Sequence, residues 1–180
     1  MNIETSLVKK IHITDLENLD PITVYLEDFE RGKGKITINC WGKSWTSFWP
    51  AMGGKNIAQF FRGCNNGYLI NNLDPHIKKY EPDYDTFRNE MRQKIREMRR
   101  DDFISKGLAR ELFDVENWKE YVTENPYEPI KNPCFIYESE FEELDFDGFD
   151  VPEQLTNDYL YLKKIIETVQ SALSDTAKAA

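Results

Sequence analysis

The sequence predicts an α+β fold: a small antiparallel sheet packed with several helices. Three observations carry that reading. Apolar and polar residues alternate over 22–41 around a glycine-containing interruption, as in a hairpin of two half-buried strands. Phe87, Met91, Ile95 and Met98 recur at steps of four, four and three inside a highly charged stretch, the mark of an amphipathic helix. Tyr159, Leu162, Ile166, Val169 and Leu173 form a second such stripe near the C-terminus. Strands come first and helices follow, the segregated order of α+β proteins.

Along the chain, Ile11 and Ile13 alternate with Lys10 and His12, so 8–14 reads as a strand beside the hairpin. Ile22, Val24 and Leu26 define the first hairpin strand, and Ile36, Ile38 and Cys40 the second. Gly32 and Gly34 allow the turn between them and place Lys33 at an exposed tip. The stretch 42–54 is rich in aromatic rings and ends at Pro50 and Gly53-Gly54. Short helices follow at 55–63 and 65–73, and the longest helix runs over 83–104. Ser105 caps a helix to Phe113, and a turn holds Trp118 and Tyr121. Asn125-Pro126, Glu128-Pro129 and Asn132-Pro133 form a stiff connector, because a residue before proline avoids the α region. A strand is expected at 134–141, and Thr156 or Asn157 caps the last helix. The whole reads as one domain over 1–174 with a frayed tail at 175–180.

The 180 residues carry 32 acidic and 23 basic side chains, a net charge of -9, with 40% hydrophobic and 13% aromatic content. That is apolar enough for a core and excludes wholesale disorder. No apolar run approaches the roughly 18–20 residues of a membrane span, and 1–10 lacks the apolar stretch of a secretory signal. Three scattered cysteines, Cys40, Cys64 and Cys134, imply reduced thiols and a cytoplasmic setting.

The charge is unevenly placed. Residues 135–162 hold nine carboxylates and seven aromatic rings without one Lys or Arg. Glu138, Glu140, Glu142, Glu143, Asp145 and Asp147 are therefore candidates for binding a basic partner, with Phe141, Phe146 and Phe149 as anchors. Trp41, Trp45 and Trp49 recur at steps of four. They divide between core and a recognition surface, with at least one ring exposed; Trp45 and Trp49 are candidate partner-binding residues. Arg88, Arg92, Arg96 and Arg99 make a basic stripe on the longest helix. It tracks nucleic-acid phosphates, receives the acidic segment, or is a solvated flank; the overall charge opposes nucleic acid.

Catalytic and metal-binding patterns are thin. His12 and His76 lie 64 positions apart, so no histidine-rich metal site is expected, and no cofactor. Gly32-Lys33-Gly34 joins two strands rather than a strand and a helix, unlike a phosphate loop. Met52-Gly53-Gly54-Lys55 precedes a helix but lacks the rest of a P-loop. Asp145–Asp150 misplaces Gly148 for an EF-hand. Pro82-Asp83 has no downstream acid-x-Lys to complete a nuclease-type metal site.

The block Gly34–Gly53, with Cys40-Trp41-Gly42, Trp45 and Met52-Gly53, resembles one in small accessory proteins of tailed bacteriophages and prophages. Ile57–Cys64, Tyr68–Leu73 and Asp158-Tyr-Leu-Tyr-Leu extend the similarity to about half the chain. Trp41 stands where such proteins carry tyrosine, and Pro50 where glycine is usual. The resemblance implies a phage setting and brings no catalytic residues. The reading favours a non-enzymatic protein that binds a host protein or complex with a basic surface, as an inhibitor of host defence machinery that handles nucleic acid. A second copy of the chain is a further candidate partner. A nucleic-acid-binding module and an enzyme with a spatially assembled site, using Cys64 or a carboxylate-bound metal, stand as alternatives.

Overall fold

The computed structural model describes residues 1–3, 5, 7–123, 130, 141 and 150–178. The chain divides into two compact units, one formed by Met1–Lys79 with Leu155–Ala180, the other by Tyr80–Gln154.

The first unit is built on a four-stranded antiparallel sheet in sequence order: β1 (Lys9–Ile13), β2 (Ile22–Glu30), β3 (Lys33–Cys40) and β4 (Lys43–Trp49). Alternation decides which side chains enter the core. Val24 pairs with Ile38 and Ile38 with Trp45, so three strands place apolar residues in one row. The opposite face is mostly polar, with Thr37 bonded to Thr46 at 2.9 Å and Ser44 to Asn39 at 2.7 Å, beside an exposed Phe29–Phe48 ring pair. The apolar face is covered by α1 (Ile57–Gly63), α2 (Asn66–Leu73) and α5 (Asn157–Lys178). Tyr159, Leu162, Ile166, Val169 and Leu173 are buried as their spacing predicts, together with Ile165. Thr156 caps α5 by accepting the Tyr159 N–H, while its own hydroxyl donates to the Lys78 carbonyl. The helix runs through Lys178, past Ser174, with Leu173 its last buried residue among those described.

The β2–β3 turn is Arg31-Gly32, not the Lys33 tip that the glycine pair suggested. A register shift between Asp28 and Glu30 moves the turn, and Lys33 opens β3 half-buried beside Glu30. Gly32 has φ 81° and meets the Gly53-Gly54 turn, accepting the Met52 N–H at 2.7 Å. Gly34 serves packing: a Cβ there would stand 3.0 Å from both the Glu27 carbonyl oxygen and Ile57 Cβ.

β4 occupies the aromatic stretch at 42–54, where no regular element was expected. Its strand period buries Trp45 and Trp49 on one face.

The second unit packs α3 (Tyr84–Arg100) against α4 (Lys106–Phe113) and a short 3₁₀ turn at Trp118–Glu120. Phe87, Met91 and Ile95 are buried with Leu108, Leu112 and Trp118. Phe87 meets Trp118 edge-on, ring centroids 6.0 Å apart. α3 ends four residues before Ile104, at a turn where Asp102 takes φ 56°. Two three-residue strands, β5 (Tyr80–Pro82) and β6 (Glu153–Leu155), pair with each other. Phe141 is helical and buried, whereas the rest of the expected strand at 134–141 lies outside the described residues. Among the described residues no helix is long and apolar enough to cross a membrane.

Candidate functional site: the Trp41 turn and its cleft

β3 and β4 are joined by a two-residue turn, since Cys40 pairs with Lys43. Both turn residues have positive φ, Trp41 at 45° and Gly42 at 74°, as a type I′ hairpin requires. Glycine takes that conformation freely. For a side chain with a Cβ the left-handed region costs roughly 1–2 kcal/mol, and asparagine is the usual exception. Tryptophan is therefore a poor residue for this turn, and it recovers little through burial, being 79% exposed.

Beside the turn lies a cleft of about 450 Å³ lined by Asp20, Trp41, Lys43, Asn157, Asp158 and Tyr161. Three separate stretches of the first unit build it: the approach to β2, the β3–β4 hairpin and the first two turns of α5. The Lys43 ammonium lies 3.2 Å from Asp158 Oδ1 and 5.9 Å from the Tyr161 ring centroid. Both partners of that ion pair are exposed, so the pair contributes little to stability. The same surroundings, aromatic faces with two carboxylates, attract a cation.

Tyr161 is fixed from below. Its hydroxyl lies 3.3 Å from Cys40 Sγ, and its ring packs on Trp45 at 6.4 Å. The hydrogen bond with Cys40, and then burial, push the phenol up to about 12.

Trp45 and Trp49 belong to the core at 9% and 4% exposure, and the Trp49 indole N–H donates to the Tyr68 hydroxyl at 2.9 Å. The exposed ring is Trp41, the member of the series left out of the candidate set. Its signal was present in Cys40-Trp41-Gly42-Lys43: a glycine at the second position of a short break between alternating runs.

The arginine stripe is largely engaged locally. Arg88 and Arg92 both reach Glu116, the latter at 2.6 Å, and Arg88 also pairs with Asp85. Arg99 binds Asp102 at 2.7 Å, while Arg96 Nε donates to the Arg92 carbonyl. Glu138, Glu140, Glu142, Glu143, Asp145 and Asp147, with Phe146 and Phe149, lie outside the described residues.

Cys64 is half-buried, and burial raises its thiol pKa, offset in part by Lys55. That is the opposite of an activated nucleophile. His12 bonds Thr23 at 3.0 Å, and His76 is exposed. The amides after Gly53-Gly54 are committed: Ile57 N–H donates to Asp28, and Gln59 N–H to Asn56 within a capping box.

The fold and cleft define a small acidic α+β protein with an aromatic and charged recess at a strained hairpin turn. Residues 1–175 match the model of a phage family, Phage_phiTE_072, and the chain belongs to that family. The phage resemblance in the sequence is borne out at this level. No curated protein and no solved structure matches the chain.

Proposed function

We propose that this phage protein is non-enzymatic and acts in the cytoplasm of the bacterial host by binding a host protein through the Trp41 turn. The observation that carries the reading is an exposed tryptophan held at φ 45°. Strain of this kind marks functional positions, because selection for folding alone would place asparagine or glycine there. Tryptophan supplies a large, stiff contact area and is enriched among interface hot spots.

The cleft chemistry supports a partner with a basic surface. Asp20 and Asp158 stand beside Trp41 and Tyr161, and the chain's own Lys43 already occupies cation-binding surroundings. A lysine or arginine of the partner competes for the same place. A net charge of -9 draws such a partner in. A host complex that handles nucleic acid has the positive channel this charge suits, which makes inhibition of a defence complex the favoured outcome of binding.

The test is affinity capture from host lysate with the wild type and Trp41→Asn, read by quantitative mass spectrometry. A host protein retained by the wild type and lost with the variant supports the reading. Equal retention by both overturns it.

A further inference from the structure

The α3–α4 pair carries a second surface of opposite sign. Once the local ion pairs are assigned, the arginine stripe is no longer a continuous track. Arg88 and Arg92 are held by Glu116, Arg99 by Asp102, and Arg100 by Asp101. Arg96, Lys106 and Arg110 form no ion pair among the described residues, and all three line one groove between the helices. The groove has a volume of about 280 Å³ and an apolar floor of Ile95, Ala109 and Phe113. Arg99 also lines it, and Asp114 is the single acidic residue among the described lining residues, where cations outnumber carboxylates four to one. Arg92 lies over the Phe113 ring at 5.2 Å, and Phe113 remains 37% exposed.

We infer that this groove binds an acidic peptide segment of a partner protein, one that carries a single apolar or aromatic side chain between its carboxylates. The apolar floor takes that side chain, and Arg96, Lys106 and Arg110, without an ion pair among the described residues, take the flanking charges. The arrangement is compact. Polyanionic nucleic acid gains affinity from many cations along its backbone, and here the local pairs have removed the ends of the stripe. Guanidinium groups also match carboxylates in two-point geometry, which favours Arg96 and Arg110 as the specific contacts.

The experiment uses the full chain and a short fluorescent peptide of glutamates around a central phenylalanine, with titration followed by anisotropy. Binding should weaken about tenfold in Arg96→Glu with Arg110→Glu, both exposed positions. It should also weaken when the peptide phenylalanine becomes serine. Circular dichroism and the unfolding midpoint establish that the variant is folded; if it is not, Arg110→Gln with Lys106→Gln makes the same measurement. Peptide binding unchanged by the reversal overturns the inference. So does tighter binding of single-stranded DNA than of the peptide. Self-association lost on reversal, without peptide binding, also overturns it and assigns the groove to a second copy.

Discussion

Trp41 combines backbone strain with exposure at one position, and the proposed binding role rests on that conflict. Its φ of 45° is strained for tryptophan, and 79% exposure leaves little burial to offset the cost. Trp41→Asn should therefore raise stability by about 1 kcal/mol, seen as a higher denaturant midpoint at an unchanged slope. A lower midpoint would show that the ring holds the fold, and would remove the argument that it is retained for contact. Tyr161, on the same cleft, gives a second test. Its phenol is pushed up to about 12 from the ordinary value of 10.0, first by the bond to Cys40 and then by burial. Between those values the unfolded chain releases this proton while the folded chain keeps it. The Tyr161 contribution to stability is therefore full below about pH 10 and is lost as pH rises toward 12. In an ultraviolet titration one tyrosine should ionise after the others, and Cys40→Ala should bring its midpoint down. Titration of every tyrosine at the ordinary pH in the wild type would sink the assignment.

The elements differ in how plainly the sequence announces them, and the reason is periodicity. β2, β3, α3 and α5 bury long runs at one period, so Val24, Ile38, Met91 and Val169 lie where their spacing puts them. β4 was ambiguous because Trp45 and Trp49 are four apart, a step that returns to the same face of a strand and nearly so of a helix. Trp41 shares the step but not the face, because the I′ turn intervenes and tryptophan is no usual turn residue. β5 and β6, three residues each, are too short to show a period. The cleft was illegible for another reason. Asp20, Lys43 and Asp158 are distant in sequence and meet only because β2, the β3–β4 hairpin and α5 converge. Local capping chemistry, by contrast, decides α1. The Asn56 side chain accepts the Gln59 N–H at 2.8 Å, and the Gln59 side-chain oxygen accepts the Asn56 backbone N–H at 3.2 Å. α1 has only seven residues and relies on that box. Asn56→Ala should cost about 1 kcal/mol, read by chemical denaturation, and Asn56→Ser should restore most of it. A neutral Asn56→Ala would mean that Ile57 and Phe61 hold α1 by burial alone.

At the scale of the molecule, the second unit is a continuous excursion of the chain. The first unit leaves at Lys79 and resumes at Leu155, and these ends are neighbours, since the Thr156 N–H donates to the Lys79 carbonyl at 3.0 Å. Each unit has its own buried cluster, the requirement for folding separately. Replacing Tyr80–Gln154 by a short glycine-rich link should thus leave a chain that unfolds cooperatively, with a smaller denaturant slope because less surface is buried. Loss of cooperative unfolding would instead favour the single domain over 1–174 that the sequence suggests. The same deletion separates the two proposed recognition surfaces. All residues lining the Trp41 cleft remain. The α3–α4 groove goes, and so do Glu138, Glu140, Glu142, Glu143, Asp145 and Asp147. Host-protein capture that persists in the shortened chain and is still lost with Trp41→Asn places recognition on the hairpin turn. Capture lost in a shortened chain that remains folded moves recognition to the excised residues, where the acidic stretch is the first candidate; charge reversal at Glu140, Glu142 and Glu143 in the full chain should then abolish it.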